Sequence, residues 1–170
     1  MSRQHMICCL LLMAVLGTTA TQAQVPNPIV GNWKLNVERS QFPTAQHPQM
    51  EVRQYRERDD GFLIGLVISV DSYGNPDFQQ FTAKSDGKFY PEYNSATLSD
   101  LVTKQNPTPL SYAEKFTSER TIDWVDQRNG TMAGSGTSQI SDDGKQLSIL
   151  VNYVNPKRQQ ATYTLVYDKQ

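Results

Sequence analysis

The side chains with the potential for chemistry are few and scattered. His47 is the one histidine beyond residue 5, and it sits in a loop between Pro43 and Pro48. A lone loop histidine reads as solvated. Both cysteines, Cys8 and Cys9, lie near the N-terminus, so a nitrogen- or sulfur-ligated metal site lacks ligands. Asp59-Asp60 and Asp142-Asp143 set carboxylates side by side, whereas paired acid–base chemistry needs them held across a cleft. Next to Gly61 and Gly144 they read as turn formers, and neither follows the spaced acidic pattern of a calcium loop. Gly134-Ser135-Gly136 is not a nucleophile-elbow sequence. Two glycines on one face of a strand instead let it coil, or let a large neighbour or ligand approach. Asn129-Gly130-Thr131 is formally a glycosylation acceptor and reads as a hairpin turn. The expectation is a protein without catalytic residues, metal or cofactor.

The chain has 170 residues, enough for one domain. Arg3 and His5 precede an apolar run from Met6 to Leu16, followed by small residues ending at Ala23. That order fits a secretory signal peptide over residues 1–23, cleaved near Ala23. The run is about 11 residues, against the roughly 20 of a membrane-spanning helix, so no span is expected after cleavage. The domain then covers residues 24–170, lacks cysteine, and must be stable through its core alone. A periplasmic or secreted location follows from this reading. The formal net charge is −1 with no basic cluster, which disfavours nucleic acid as a partner.

Val25-Pro26-Asn27-Pro28 is an extended leader, and alternation begins at Ile29. Strands follow at 29–37, 50–58, 62–71, 77–84, 88–90, 97–104, 120–127, 131–140, 146–154 and 160–168, most joined by Gly, Asn or Asp turns. In 62–71, Phe62, Ile64, Leu66, Ile68 and Val70 make one apolar side. Ser111-x-x-Glu114 has the spacing of a capping box, and Tyr112 and Phe116 stand four residues apart, so one short helix is expected around 111–118. About ten strands of this kind predict an all-β, antiparallel up-and-down meander closed into a barrel. A two-sheet β-sandwich is the alternative.

Gly31-x-Trp33 at the first strand resembles the opening of the lipocalin and calycin barrels. Gly31-Asn32-Trp33-Lys34-Leu35-Asn36 with Ser40 and Phe42 extends the likeness, as do Asp86-Gly87-Lys88, Asp143-Gly144-Lys145 and the ending Val166-Tyr167-Asp168-Lys169. Together these resemble small exported bacterial lipocalin-like proteins, a family largely without assigned activity. The T-D-Y motif of true lipocalins is absent, with Thr162-Tyr163 a poor substitute. The resemblance implies a barrel whose closed end is built by Gly31 and Trp33, with Lys169 stacked on the indole. Counting strands from there puts the connections at 38–48, 72–76, 91–96, 128–130 and 155–159 at the mouth. Residues 105–119 then fall at the closed end as a plug. Phe42, Tyr73, Tyr93 and Arg158 become expected rim residues, and Ile64, Leu66, Tyr153 and Tyr163 expected wall residues for a small apolar or amphipathic ligand. A second reading is a protein-interaction or inhibitor module that uses the extended segment 25–29.

Overall fold

Ten strands and one helix make up the computed structural model, which describes residues 27–103, 108–154 and 159–170. In chain order they are β1 (Gly31–Leu35), β2 (Met50–Glu57), β3 (Leu63–Val70), β4 (Pro76–Ala83), β5 (Tyr90–Asn94), α1 (Ser95–Val102), β6 (Leu110–Ser118), β7 (Thr121–Arg128), β8 (Thr131–Ile140), β9 (Gln146–Val154) and β10 (Gln160–Lys169). Each strand pairs antiparallel with its neighbour in the chain, and β1 pairs with β10 to close the barrel. An even strand count brings the last strand antiparallel to the first, so the meander closes and leaves no open edge. The sandwich alternative is thereby set aside. The signal-peptide reading for residues 1–23 lies outside the described residues.

The helix is not where the sequence reading put it. Residues 110–118 form β6, and the helix spans Ser95–Val102, where the sixth strand was expected. Two residues four apart share a face on a strand as well as on a helix, because the strand period is two. Tyr112, Glu114 and Phe116 use that period, and Glu114 is buried at 2% exposure. Asn94 caps the real helix, its side-chain oxygen accepting from the Thr97 amide at 2.9 Å. The expected strand at 88–90 is displaced as well: β5 runs from Tyr90 through Pro91 to Asn94, pairing Pro91 with Ser111. The ten-strand parity survives these exchanges. The helix α1 now stands at the mouth, where β5 ends and β6 begins, and only a tight turn joins β6 to β7 at the closed end.

That closed end is made from β1 and the turn before it. Trp33 is fully buried and its indole N–H donates to the Ile29 carbonyl at 2.7 Å. Ile29 is itself 3% exposed, held by a turn in which Val30 N–H donates to the Asn27 carbonyl at 3.0 Å. Lys169 lies opposite Trp33 in register, its ammonium 5.1 Å from the ring centroid. Gly31 has φ of +148°, a conformation that favours glycine, and a Cβ there would stand 2.9 Å from Lys169 Cε and displace the lysine's end. Only Trp33, Lys34 and Leu35 pair with β10, and the chain beyond them stays on that strand. Asn36 N–H donates to the Val166 carbonyl, Ser40 Oγ accepts from Val166 N–H at 2.9 Å, and Gln41 bridges Thr164. The seam is sealed by this return segment.

Candidate functional site

Alternate residues of every strand point inward, and many of these are polar. A cavity of about 370 Å³ occupies the barrel and reaches the mouth, where Asp77, Asn94, Leu110 and Arg128 line it at strand ends. Its walls carry the aromatics Tyr55, Phe81, Tyr112, Trp124, Tyr153 and Tyr163. Phe81 stacks on Tyr112 at 4.1 Å between ring centroids. Glycines facing these rings make room for them. Gly136 sits opposite Trp124 in register, and a Cβ there would collide with the Leu150 carbonyl and stand 2.5 Å from the indole. Gly65 stands in the same relation to Phe81. The Gly134-Ser135-Gly136 run therefore serves close approach by an aromatic neighbour.

Three polar groups share this interior, and they differ in how well they are satisfied. On β2, the Arg53 guanidinium donates to Glu51 at 2.8 Å and to the Tyr167 hydroxyl at 2.9 Å, while Tyr167 donates to Glu51 at 2.6 Å. Burial alone would lower the guanidinium's pKa, but Tyr167, Glu51 and Tyr55 hold it well above its usual value, so Arg53 stays charged. On β6, Glu114 accepts from Tyr112 at 2.8 Å and from Ser85 at 2.6 Å. Burial raises its pKa, and those two donors pull it back.

The third group is the pair Glu92 on β5 and Asp126 on β7. Gln79 donates to one Glu92 oxygen at 2.5 Å. The other Glu92 oxygen and one Asp126 oxygen are buried and receive no hydrogen bond from any group outside the pair. Two ionised carboxylates can only accept, so neither can satisfy the other until one takes a proton. Burial and then the Glu92 charge push Asp126 up to about 8. Burial raises Glu92 as well, against the Gln79 and Asp126 hydrogen bonds and the Arg128 charge. Near neutral pH the pair holds one proton between its two carboxyls.

Of the expected site residues, Tyr153 and Tyr163 line the cavity. Ile64 and Leu66 do not: on β3 the buried positions are Leu63, Gly65 and Val67, so the expected wall residues are on the opposite face. Phe42 packs half-buried against the core with its ring 5.1 Å from that of His47. Tyr73 is 74% exposed and accepts from Gln46 at 2.7 Å, and Tyr93 alternates with the inward Glu92. None of these three lines the cavity. Arg158 lies outside the described residues. Sequence reading missed Glu51, Arg53, Tyr55, Glu92, Tyr112, Trp124 and Asp126. The period-two runs Glu51-x-Arg53-x-Tyr55 and Tyr163-x-Leu165-x-Tyr167 are the signal that could have found part of this wall.

The paired acids first noticed in the sequence are turn residues. Asp143 accepts from Ser141 at 2.7 Å and from the Lys145 amide at 3.0 Å, and the Ser141 bond leads in holding its carboxyl below the usual range. Asp142 pairs with Arg120, and Asp60 with Arg58. Among the described residues no three metal-ligating side chains cluster, and no helix is long and apolar enough to cross a membrane.

The chain matches no family model and no curated protein. Among solved structures it is similar to the wild-type fluorescent protein UnaG, with 10% identity, a TM-score of 0.49, and coverage of 84% of this chain and 97% of that one. It is also similar to EF1p2_mFAP2b bound to DFHBI, with 9% identity, a TM-score of 0.45, and coverage of 84% and 94%.

Proposed function

We propose that this chain is an exported barrel that binds a compact amphipathic small molecule in its interior. The cavity is the observation that carries the reading. At about 370 Å³ it lies within the roughly 300–1,000 Å³ of ligand pockets, and it combines aromatic walls with a few placed polar groups. A long apolar chain fits poorly, because Glu51, Arg53, Glu92 and Asp126 would lose water without gaining partners. The amphipathic half of the sequence expectation is therefore kept and the apolar half dropped. Export, by the signal peptide over residues 1–23, and kinship with small bacterial lipocalin-like proteins rest on the quoted motifs.

Trp124 offers a direct test. The chain has two tryptophans, and Trp33 is sealed at the closed end, so a ligand-induced change in indole emission reports Trp124 in the cavity. Native mass spectrometry of protein purified from its own compartment should show a copurifying small molecule, and displacing it should shift that emission. A bare protein mass, with emission indifferent to compact aromatic probes, would overturn the reading. The interaction-module alternative gains nothing from residue 29, since Ile29 is buried and its carbonyl is committed to Trp33.

A further inference from the structure

Among the described residues, four carboxylates line the cavity, Glu51, Asp77, Glu92 and Asp126, against two guanidiniums, Arg53 and Arg128. Arg53 is already engaged by Glu51 and Tyr167. Arg128 stands at the exposed mouth end of β7. The interior is thus acidic, and its acidity is concentrated where β5 and β7 flank β6. Glu92 is 6% exposed, its carboxyl is held by Gln79, and its free oxygen has no partner outside the pair. Asp126 presents a second such oxygen from β7. Opposite Asp126 in register stands Gly134, which brings no side chain over this carboxylate.

Resting on the binding function proposed above, we propose that Glu92 and Asp126 form the subsite for a positively charged group, an ammonium or amidinium, on the ligand. Such a group supplies the donors that both oxygens lack, and its charge offsets theirs. The surrounding walls favour the same ligand. Phe81, Tyr112 and Trp124 line the same cavity, and aromatic rings attract a desolvated cation. An anion would meet the acid pair, and the one deeply placed cation is already neutralised by Glu51.

The proton shared by the pair occupies the place that a cation would take. Cation binding releases that proton to solvent from the carboxyl oxygen that carries it, and no other bond is made or broken. The groups facing the pair are Gln79 on β4, Arg53 on β2, Arg128 on β7, Tyr112 on β6, Tyr163 on β10 and Tyr153 on β9. None of them donates to the two free oxygens. Since Asp126 releases its proton near pH 8, affinity for an ammonium should rise from about pH 6 to about pH 8.

Three probes with a common phenyl group separate the possibilities: phenethylamine, phenethyl alcohol and phenylacetate. Calorimetric titration should show the amine binding at least about tenfold tighter than the alcohol, with phenylacetate weakest. Glu92→Gln and Asp126→Asn should each erase that preference, bringing the amine's affinity down to that of the alcohol measured on the same variant. Both substitutions keep side-chain shape and remove like-charge repulsion, and a melting curve checks that each variant folds. Equal or tighter binding of the alcohol or phenylacetate would overturn the cation subsite and leave the binding function standing. So would amine binding indifferent to both variants, or a copurifying molecule without a cationic group. If none of the three binds and nothing copurifies, the binding function falls, and the subsite with it.

Discussion

The two ends of the barrel use inward-facing positions in opposite ways. At the closed end the buried polar group has its partner: the Trp33 indole N–H meets the Ile29 carbonyl, and Lys169 rests on the indole face with its ammonium free to reach water. In the cavity, Trp124 lies over a glycine, and Glu92 and Asp126 each keep an oxygen that no group outside the pair donates to. The first region gives up nothing in stability, whereas the second holds desolvated charge that a tighter core would exclude. What separates a plug from a binding wall here is satisfaction of polar groups. Both regions are aromatic, so residue type alone does not distinguish them.

The largest expected effect breaks the plug. Trp33→Ala removes a fully buried indole and should lower unfolding free energy by about 3–5 kcal/mol in urea titration. A variant that unfolds like the parent would mean that the closed end is not what holds the barrel together. Next is the wall behind Trp124. Gly136→Ala forces a Cβ against the Leu150 carbonyl and the indole, an overpacking that should cost about 3 kcal/mol and perturb Trp124 emission. Loss of stability without any change in emission would show that this glycine does not position the cavity tryptophan.

Much of this contrast was hidden from sequence for a physical reason. Turns were legible, because Asp59-Asp60-Gly61, Asn129-Gly130 and Asp142-Asp143-Gly144 carry backbone conformations that few residues adopt; Asn129 and Gly130 both have positive φ. Strand existence and the closed meander followed from them. Gly31 and Trp33 were legible as a paired signal at the first strand. The cavity wall was not, because the usual rule sends apolar residues inward, and β3 departs from it. Ile64, Leu66 and Ile68 lie on the outer face of that strand, with Ile68 40% exposed, while Gly65 and Ser69 face in with Leu63 and Val67. Glu92 carried no sequence signal at all: it stands beside Pro91 in a strand only five residues long. Its meaning comes from Asp126, 34 positions away along the chain and brought near by β6 lying between their strands.

The third prediction has the opposite sign. Asp126→Asn should stabilise the protein at pH 8 by about 1–2 kcal/mol, because it removes a buried charge beside another. Asp126 is pushed up to about 8 in the folded protein, from an ordinary value of 3.8. Between those limits the native state binds a proton that the unfolded chain does not, so stability falls as pH rises from about 4 to about 8. Thermal melts across that range should slope downward for the parent and flatten in the variant. A parent that gains stability over the same range through this residue would contradict an acid pair that shares a proton.

The smallest effect sharpens the closed end itself. Lys169→Met keeps a long side chain over the indole and deletes only the ammonium, 5.1 Å from the ring centroid. The expected loss is about 0.5–1 kcal/mol, the range for a cation over an aromatic face near water. Gly31 lies beneath the lysine's methylenes, with the Cε 2.9 Å from where a Cβ would stand, so most of the contact is packing that methionine preserves. A loss as large as that of Trp33→Ala would mean that the charge, and not the buried indole, closes the barrel. The two ends would then differ in the sign of the charge they hold more than in how well their polar groups are satisfied.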